Sequence, residues 1–130
     1  QKARAKFARV ITFDTKEITI TSADEVFLEN ALQIVEKHME NTDFNVNQFA
    51  FELAVSRPLL FTKLKALTGQ TPNNFIKTIR LKRAAQLLKT KKLNVSEVAQ
   101  RAGFKDTKYF RKCFKEKYNT LPSQFEKELN

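Results

Sequence analysis

Glycine and proline are scarce in this chain, at two and three residues of 130. Loop-rich β folds need both at their turns, so the shortage points away from sandwiches and barrels and towards helices. Tryptophan is absent, and cysteine and histidine occur once each. With Cys113 alone, no intrachain disulfide can form, and a reducing cytoplasm is the natural setting. His38 lacks a second histidine to share a metal with and reads as a surface residue. No apolar run approaches a membrane span, and no signal peptide opens the chain. A glycine-rich phosphate loop, a metal-ligand cluster and a His-containing triad are all missing. Enzyme chemistry therefore has little support in this sequence, and no cofactor or metal is expected. The first residue is Gln, so the chain is expected to be a piece of a longer protein, with any sensor or membrane anchor upstream.

What is present suits a helical core. Hydrophobic residues make up 42% of the chain, and twelve of them are Phe. The net charge of +10 is unevenly spread. Residues 1–22 hold five basic and two acidic groups (+3), and residues 23–43 hold one Lys against six acidic groups (−5). Residues 44–130 hold eighteen basic and six acidic groups (+12), so the positive charge sits where a polyanion would dock.

That basic region contains one helical unit twice. Asn45, Val46 and Ala50 match Asn94, Val95 and Ala99 at an offset of 49, and Lys65, Pro72 and Phe75 match Lys115, Pro122 and Phe125 at an offset of 50. One residue is therefore inserted between the two blocks of the second unit. Asn45 and Asn94 are expected N-caps, with Gln48 and Glu97 three residues on. Val46, Phe49, Ala50 and Leu53, and Val95, Val98, Ala99 and Ala102, mark the buried stripes of two short helices. Turns follow at Ala54-Val55-Ser56 and Gly103-Phe104-Lys105. Gly103 suits left-handed backbone, and Ala54 is a local weakness.

The second helix of each unit carries the chemistry. In the first, Leu60, Leu64 and Leu67 face inward while Pro58, Phe61, Thr62 and Lys65 face out. In the second, Tyr109, Phe110, Phe114 and Tyr118 face inward, leaving Lys108, Arg111, Lys112 and Lys115 on the opposite face. Cys113 could be a reactive thiol among lysines, but a packing residue is the favoured reading. Thr71 and Pro72 open a long helix running to Lys89, about 27 Å at the usual rise and near the ~34 Å between successive major-groove faces. Upstream, residues 1–22 read as linker, with Ile18 and Ile20 alternating like a short strand. A capping box at Ser22 and Glu25 then starts a helix buried through Phe27, Leu28, Ala31, Leu32, Ile34, Val35 and Met39. Its acidic outer face should lie away from DNA.

Ser56-Arg-Pro-Leu-Leu-Phe-Thr-Lys-Leu-Lys-Ala-Leu-Thr-Gly-Gln-Thr-Pro-Asn-Asn-Phe-Ile resembles the first helix-turn-helix of the arabinose-regulator (AraC/XylS) family. Ile79-Arg-Leu-Lys-Arg-Ala-Ala-Gln-Leu-Leu looks like that family's connecting helix. Val95-Ser-Glu-Val-Ala-Gln-Arg-Ala-Gly-Phe, Tyr109-Phe, Phe114-Lys and Pro122-Ser look like its second unit. The likeness covers about residues 23–127, and Ile18-Thr-Ile-Thr-Ser22 and Leu32–Met39 also resemble the output end of hybrid two-component sensors. It implies an all-α fold: a linker over 1–22, then two helix-turn-helix units on a connecting helix over 23–130, about seven helices in all.

Base-facing positions carried over from the family are Pro58, Phe61 and Thr62 in the first unit, and Thr107, Lys108, Arg111 and Lys112 in the second. Phosphate contacts are expected from Arg57, Lys65, Thr71, Asn73, Ser96, Lys105 and Lys115. Ala54, Asn119 and Leu121 depart from the family pattern, at a turn glycine, a second glycine and a capping Thr. Pro58 and Phe61 offer no bidentate hydrogen bonds, which leaves apolar contact with thymine methyls. The implied partners are double-stranded DNA, RNA polymerase and upstream receiver and kinase domains, with the isolated domain a monomer. The resemblance implies a cytoplasmic location, with the full-length protein anchored in the inner membrane. The competing reading is a helical interaction module whose basic face meets an acidic protein or a membrane surface.

Overall fold

The computed structural model describes residues 21–128, in which seven helices follow one another. They are α1 (Ser22–Lys37), α2 (Val46–Glu52), α3 (Arg57–Thr68), α4 (Pro72–Thr90), α5 (Val95–Arg101), α6 (Thr107–Tyr118) and α7 (Pro122–Glu128). Two compact units divide them. One holds α1 with residues 44–79, the other residues 38–43 with everything from Arg80 onward. Apart from Thr21 and Ser22, the expected linker and the expected strand around Ile18 and Ile20 lie outside the described residues.

In the first unit, α1 begins one residue earlier than expected. Thr21 and Asp24 exchange the reciprocal capping bonds: the Asp24 amide donates to Thr21 Oγ1 at 3.1 Å, and the Thr21 amide donates to Asp24 Oδ2 at 3.3 Å. The Glu25 amide donates to the Thr21 carbonyl at 3.0 Å, the first backbone bond of a helix capped at Thr21. Thr21/Asp24 and Ser22/Glu25 both fit the box pattern, and the earlier pair satisfies amides that a start at Ser22 would leave open. α1 buries Leu28, Ala31 and Val35, α2 buries Phe49 and Ala50, and α3 buries Leu60, Leu64 and Leu67. Phe49 stacks on Phe75 at the start of α4, with ring centroids 5.9 Å apart and planes 16° from parallel. Thr68 is fully buried; its hydroxyl donates to the Leu64 carbonyl at 2.7 Å and accepts the Gln70 amide at 3.1 Å.

In the second unit, Leu81, Ala84, Ala85 and Leu88 of α4 join Val98, Ala99, Ala102, Phe104, Phe110, Cys113 and Phe114 in one apolar core. An aromatic chain runs through it. Phe104 meets Phe110 at 5.1 Å, Phe110 meets Phe114 at 5.7 Å, and Phe114 meets Phe125 edge-on at 5.2 Å. Cys113 lies in that core at 3% exposure, which a packing role requires and a reactive thiol does not allow.

The turn inside each unit is repeated bond for bond. In the first unit the Ala54 amide donates to Phe51 O and the Val55 amide to Ala50 O; in the second, Gly103 donates to Gln100 O and Phe104 to Ala99 O. Ala54 takes φ 59° and Gly103 φ 90°, so the weak turn expected at Ala54 is left-handed backbone on a residue with a Cβ. Further on, Gly69 (φ 75°) and Asn119 (φ 59°) close α3 and α6, donating to the Lys65 and Lys115 carbonyls. Ser56 caps α3 and Asp106 caps α6, fifty positions apart, so the inserted residue is Lys105.

Arg80 is the buried cation of the second unit, at 8% exposure. Its guanidinium donates to Gly103 O at 3.0 Å, Asn41 O at 2.8 Å and His38 O at 3.5 Å. It therefore fastens the 38–43 segment to the turn of the second helix-turn-helix. Burial lowers its pKa from the usual value.

Candidate nucleic-acid interface

The outer faces of α3 and α6 follow from what their inner faces bury. Leu60, Leu64 and Leu67 fix the orientation of α3; Phe110, Cys113 and Phe114 fix that of α6. On a 3.6-residue repeat, the residues left outside include 58, 59, 61, 62 and 65 in α3 and, fifty positions on, 108, 109, 111, 112 and 115 in α6. Pro58, Phe61, Thr62, Lys108, Arg111 and Lys112 are all exposed, and Thr107, the first residue of α6, is half-buried.

Tyr109 departs from expectation. The helical pattern puts it on the inner face, yet it is 50% exposed and matches Leu59, which is 46% exposed on α3. Cys113 takes the inward place instead, because positions 110, 113 and 114 complete the buried stripe. The Tyr109 ring leans on Phe104 at 6.3 Å. A side-chain hydrogen bond with Cys113 holds its phenol above the ordinary value.

The expected phosphate contacts fall into two groups. In the first unit, Arg57, Pro58, Phe61, Thr71 and Asn73 line one open groove of ≈ 740 Å³ with Val46 and Pro72. This brings two helix starts together. The Ser56 hydroxyl accepts the Leu59 amide at 3.2 Å, and the Thr71 hydroxyl accepts the Asn74 amide at 3.2 Å. The positive dipole ends of the two helices favour an anion there. Lys65 is exposed but turned back, with Nζ donating to Gly69 O at 3.3 Å.

The second unit gathers fewer of them. Lys115 lines a groove of ≈ 570 Å³ with Tyr118, Asn119, Thr120, Leu121, Gln124 and Phe125. Ser96 lies exposed in the first turn of α5, whose start carries a complete capping box between Asn94 and Glu97. In the first unit the equivalent Gln48 turns to Glu52 at 3.4 Å, so Asn45 caps α2 alone. Lys105 is paired with Asp43 at 2.6 Å, both side chains well exposed. Neither Asp43 nor the buried Arg80 stood out in the sequence, since each acts on groups remote along the chain.

Among the described residues, no grouping of His, Cys, Asp and Glu suits a metal ion, and no helix is long and apolar enough to cross a membrane.

Residues 49–128 match the family described as a helix-turn-helix domain. The chain is 51% identical over 125 residues to histidine kinase P4 of Formosa agariphila; the match takes in 96% of this chain but spans only 9% of that protein's length. The fold is similar to the C-terminal domain of AraT, a response regulator from Geobacillus stearothermophilus, with TM-score 0.72, 28% identity and coverage of 78% of this chain and 84% of that one. It is also similar to the DNA-binding domain of AdpA, a global transcriptional factor solved in complex with a target DNA. That likeness has TM-score 0.68, 27% identity and coverage of 76% of this chain and 92% of that one.

Proposed function

Because the chain belongs to the helix-turn-helix family of the AraC/XylS type, a family of DNA-binding transcription regulators, we propose that it reads one asymmetric DNA site with both of its units. α3 and α6 enter successive major grooves. The observation that carries this reading is the repeat of one turn-and-helix geometry, bond for bond, with both second helices holding an exposed arc free of core duties. A direct repeat within one chain needs no palindrome, so a monomer suffices.

In this reading Arg57, Thr71 and Asn73 at the first groove, with Ser96, Lys105, Lys65 and Lys115, hold phosphates and set the register. Arg111, Lys112, Lys108 and Thr107 meet base edges from α6, and Pro58, Phe61 and Thr62 meet them from α3. The likenesses to a histidine kinase and to a response-regulator domain support a place as the output end of a longer phosphorelay protein. Its kinase and receiver then lie upstream, its target is the chromosome in the cytoplasm, and RNA polymerase is the recipient of its signal. Inner-membrane anchoring belongs to those upstream parts.

Selection of bound duplexes from a random pool should enrich one non-palindromic motif; enrichment of no motif would contradict the reading. On that motif, Arg111→Ala is expected to cost about 1–3 kcal/mol, and much less on random DNA. Lys115→Ala should weaken both alike. Equal losses for Arg111→Ala on the two DNAs would move Arg111 to the phosphate backbone.

A further inference from the structure

The two recognition helices hold equivalent places and carry opposite chemistry. Position for position, Pro58, Leu59, Phe61 and Thr62 on α3 correspond to Lys108, Tyr109, Arg111 and Lys112 on α6, and all eight are exposed. The one cation on the α3 arc, Lys65, is bent onto Gly69 O at 3.3 Å at the end of its own helix. Arg57 stands at the helix start, on the groove with Thr71 and Asn73. Towards a base edge, then, α3 offers a proline ring, a phenyl ring at 48% exposure, a leucine at 46% and one threonine, with a methyl and a hydroxyl side by side. Pro58, Leu59 and Phe61 can match only one major-groove feature, the thymine C5-methyl, because they carry no hydrogen-bonding side-chain group, and the Thr62 methyl can join them there. On α6 the long donors Arg111, Lys112 and Lys108 suit guanine O6 and N7.

We propose that the DNA site is chemically divided: the segment under α3 is recognised through thymine methyls by Pro58, Phe61, Thr62 and the flanking Leu59, and the segment under α6 through guanine acceptors by Arg111, Lys112 and Lys108. This division rests on the DNA-binding reading above and specifies the bases each unit selects. A leucine and a phenylalanine left half in water are then explained by the methyls that cover them on binding.

Base analogues separate the two chemistries without altering base pairing. In the selected duplex, uracil replaces thymine to delete single methyls, and 7-deazaguanine replaces guanine to delete single N7 acceptors. Uracil is expected to weaken binding about fourfold per contacted methyl in one segment only. 7-Deazaguanine is expected to weaken it about tenfold per contacted guanine in the other. The variants assign the segments. In Pro58→Ala/Phe61→Ala the uracil effect should shrink while the 7-deazaguanine effect is unchanged, and in Arg111→Ala the reverse should hold. All these side chains are exposed, and circular dichroism checks that each variant is folded. A selected duplex bound as well with uracil throughout, or a uracil effect unchanged in Pro58→Ala/Phe61→Ala, overturns the division while leaving DNA binding intact. No preference for the selected duplex over random DNA would instead remove the DNA-binding reading itself, and the division with it.

Discussion

At the residue scale, the two matched turns test one physical rule from opposite sides. Gly103 takes φ 90°, and a Cβ there would stand 2.3 Å from the Met39 carbonyl oxygen and 2.6 Å from Arg80 Nε. Gly103→Ala is therefore expected to destabilise the chain by on the order of 3 kcal/mol, through left-handed strain and disruption of the Arg80 bonds. At Ala54 the same backbone already bears a Cβ, so Ala54→Gly should stabilise by about 1 kcal/mol. Urea unfolding of the two variants reads both, and shifts of the same sign would contradict the turn assignment. The glycine's place was legible in the sequence because its conformational demand is local. Arg80 was not. It read as one more cation in an Arg-Leu-Lys-Arg run, because its carbonyl partners Asn41 and His38 lie 39 and 42 residues away.

At the scale of elements, the caps decide how firmly each helix begins. Thr71 caps α4 through its hydroxyl, whereas Leu121, the matching residue before α7, has no side-chain acceptor and is 39% exposed. Leu121→Thr is expected to stabilise α7 by about 1 kcal/mol and slow amide exchange at Gln124, the counterpart of Asn74. Unchanged exchange at Gln124 would show that the Leu121 carbonyl, which already accepts the Gln124 amide at 3.0 Å, leaves a side-chain cap nothing to add. Helix positions were legible here because capping residues and 3.6-residue periodicity are both local signals. The one-residue shift at the start of α1 shows the limit of that reading. Thr21/Asp24 and Ser22/Glu25 fit the same pattern, and only the folded backbone chooses between them. Tyr109 shows a second limit, since an aromatic counted as inward by hydrophobicity lost that place to the smaller Cys113.

For the whole molecule, charge and duplication together make the functional account. The +12 carried by residues 44–130, against −5 on residues 23–43, predicts binding dominated by phosphate neutralisation. With about six to eight phosphates engaged, log affinity should fall linearly with log salt at a slope of about −5 to −7. A slope near zero would contradict phosphate contacts at Arg57, Lys105 and Lys115. The double helix-turn-helix was legible because the repeat preserves caps, turns and prolines in register. The residues that set DNA preference were only partly so, because exposure at Leu59 and Tyr109 depends on which neighbours fill the core.

The central claim, that one chain reads its site with two units at once, is tested most directly by changing the DNA alone. If one chain reads both segments at once, those DNA segments need a fixed spacing. Inserting five base pairs between the two segments of the selected site turns one groove to the opposite side of the duplex. Affinity should then fall to that of a single segment, with footprinting protection over one segment only. Undiminished affinity with both segments protected would contradict the claim and show the units, or two separate chains, binding independently.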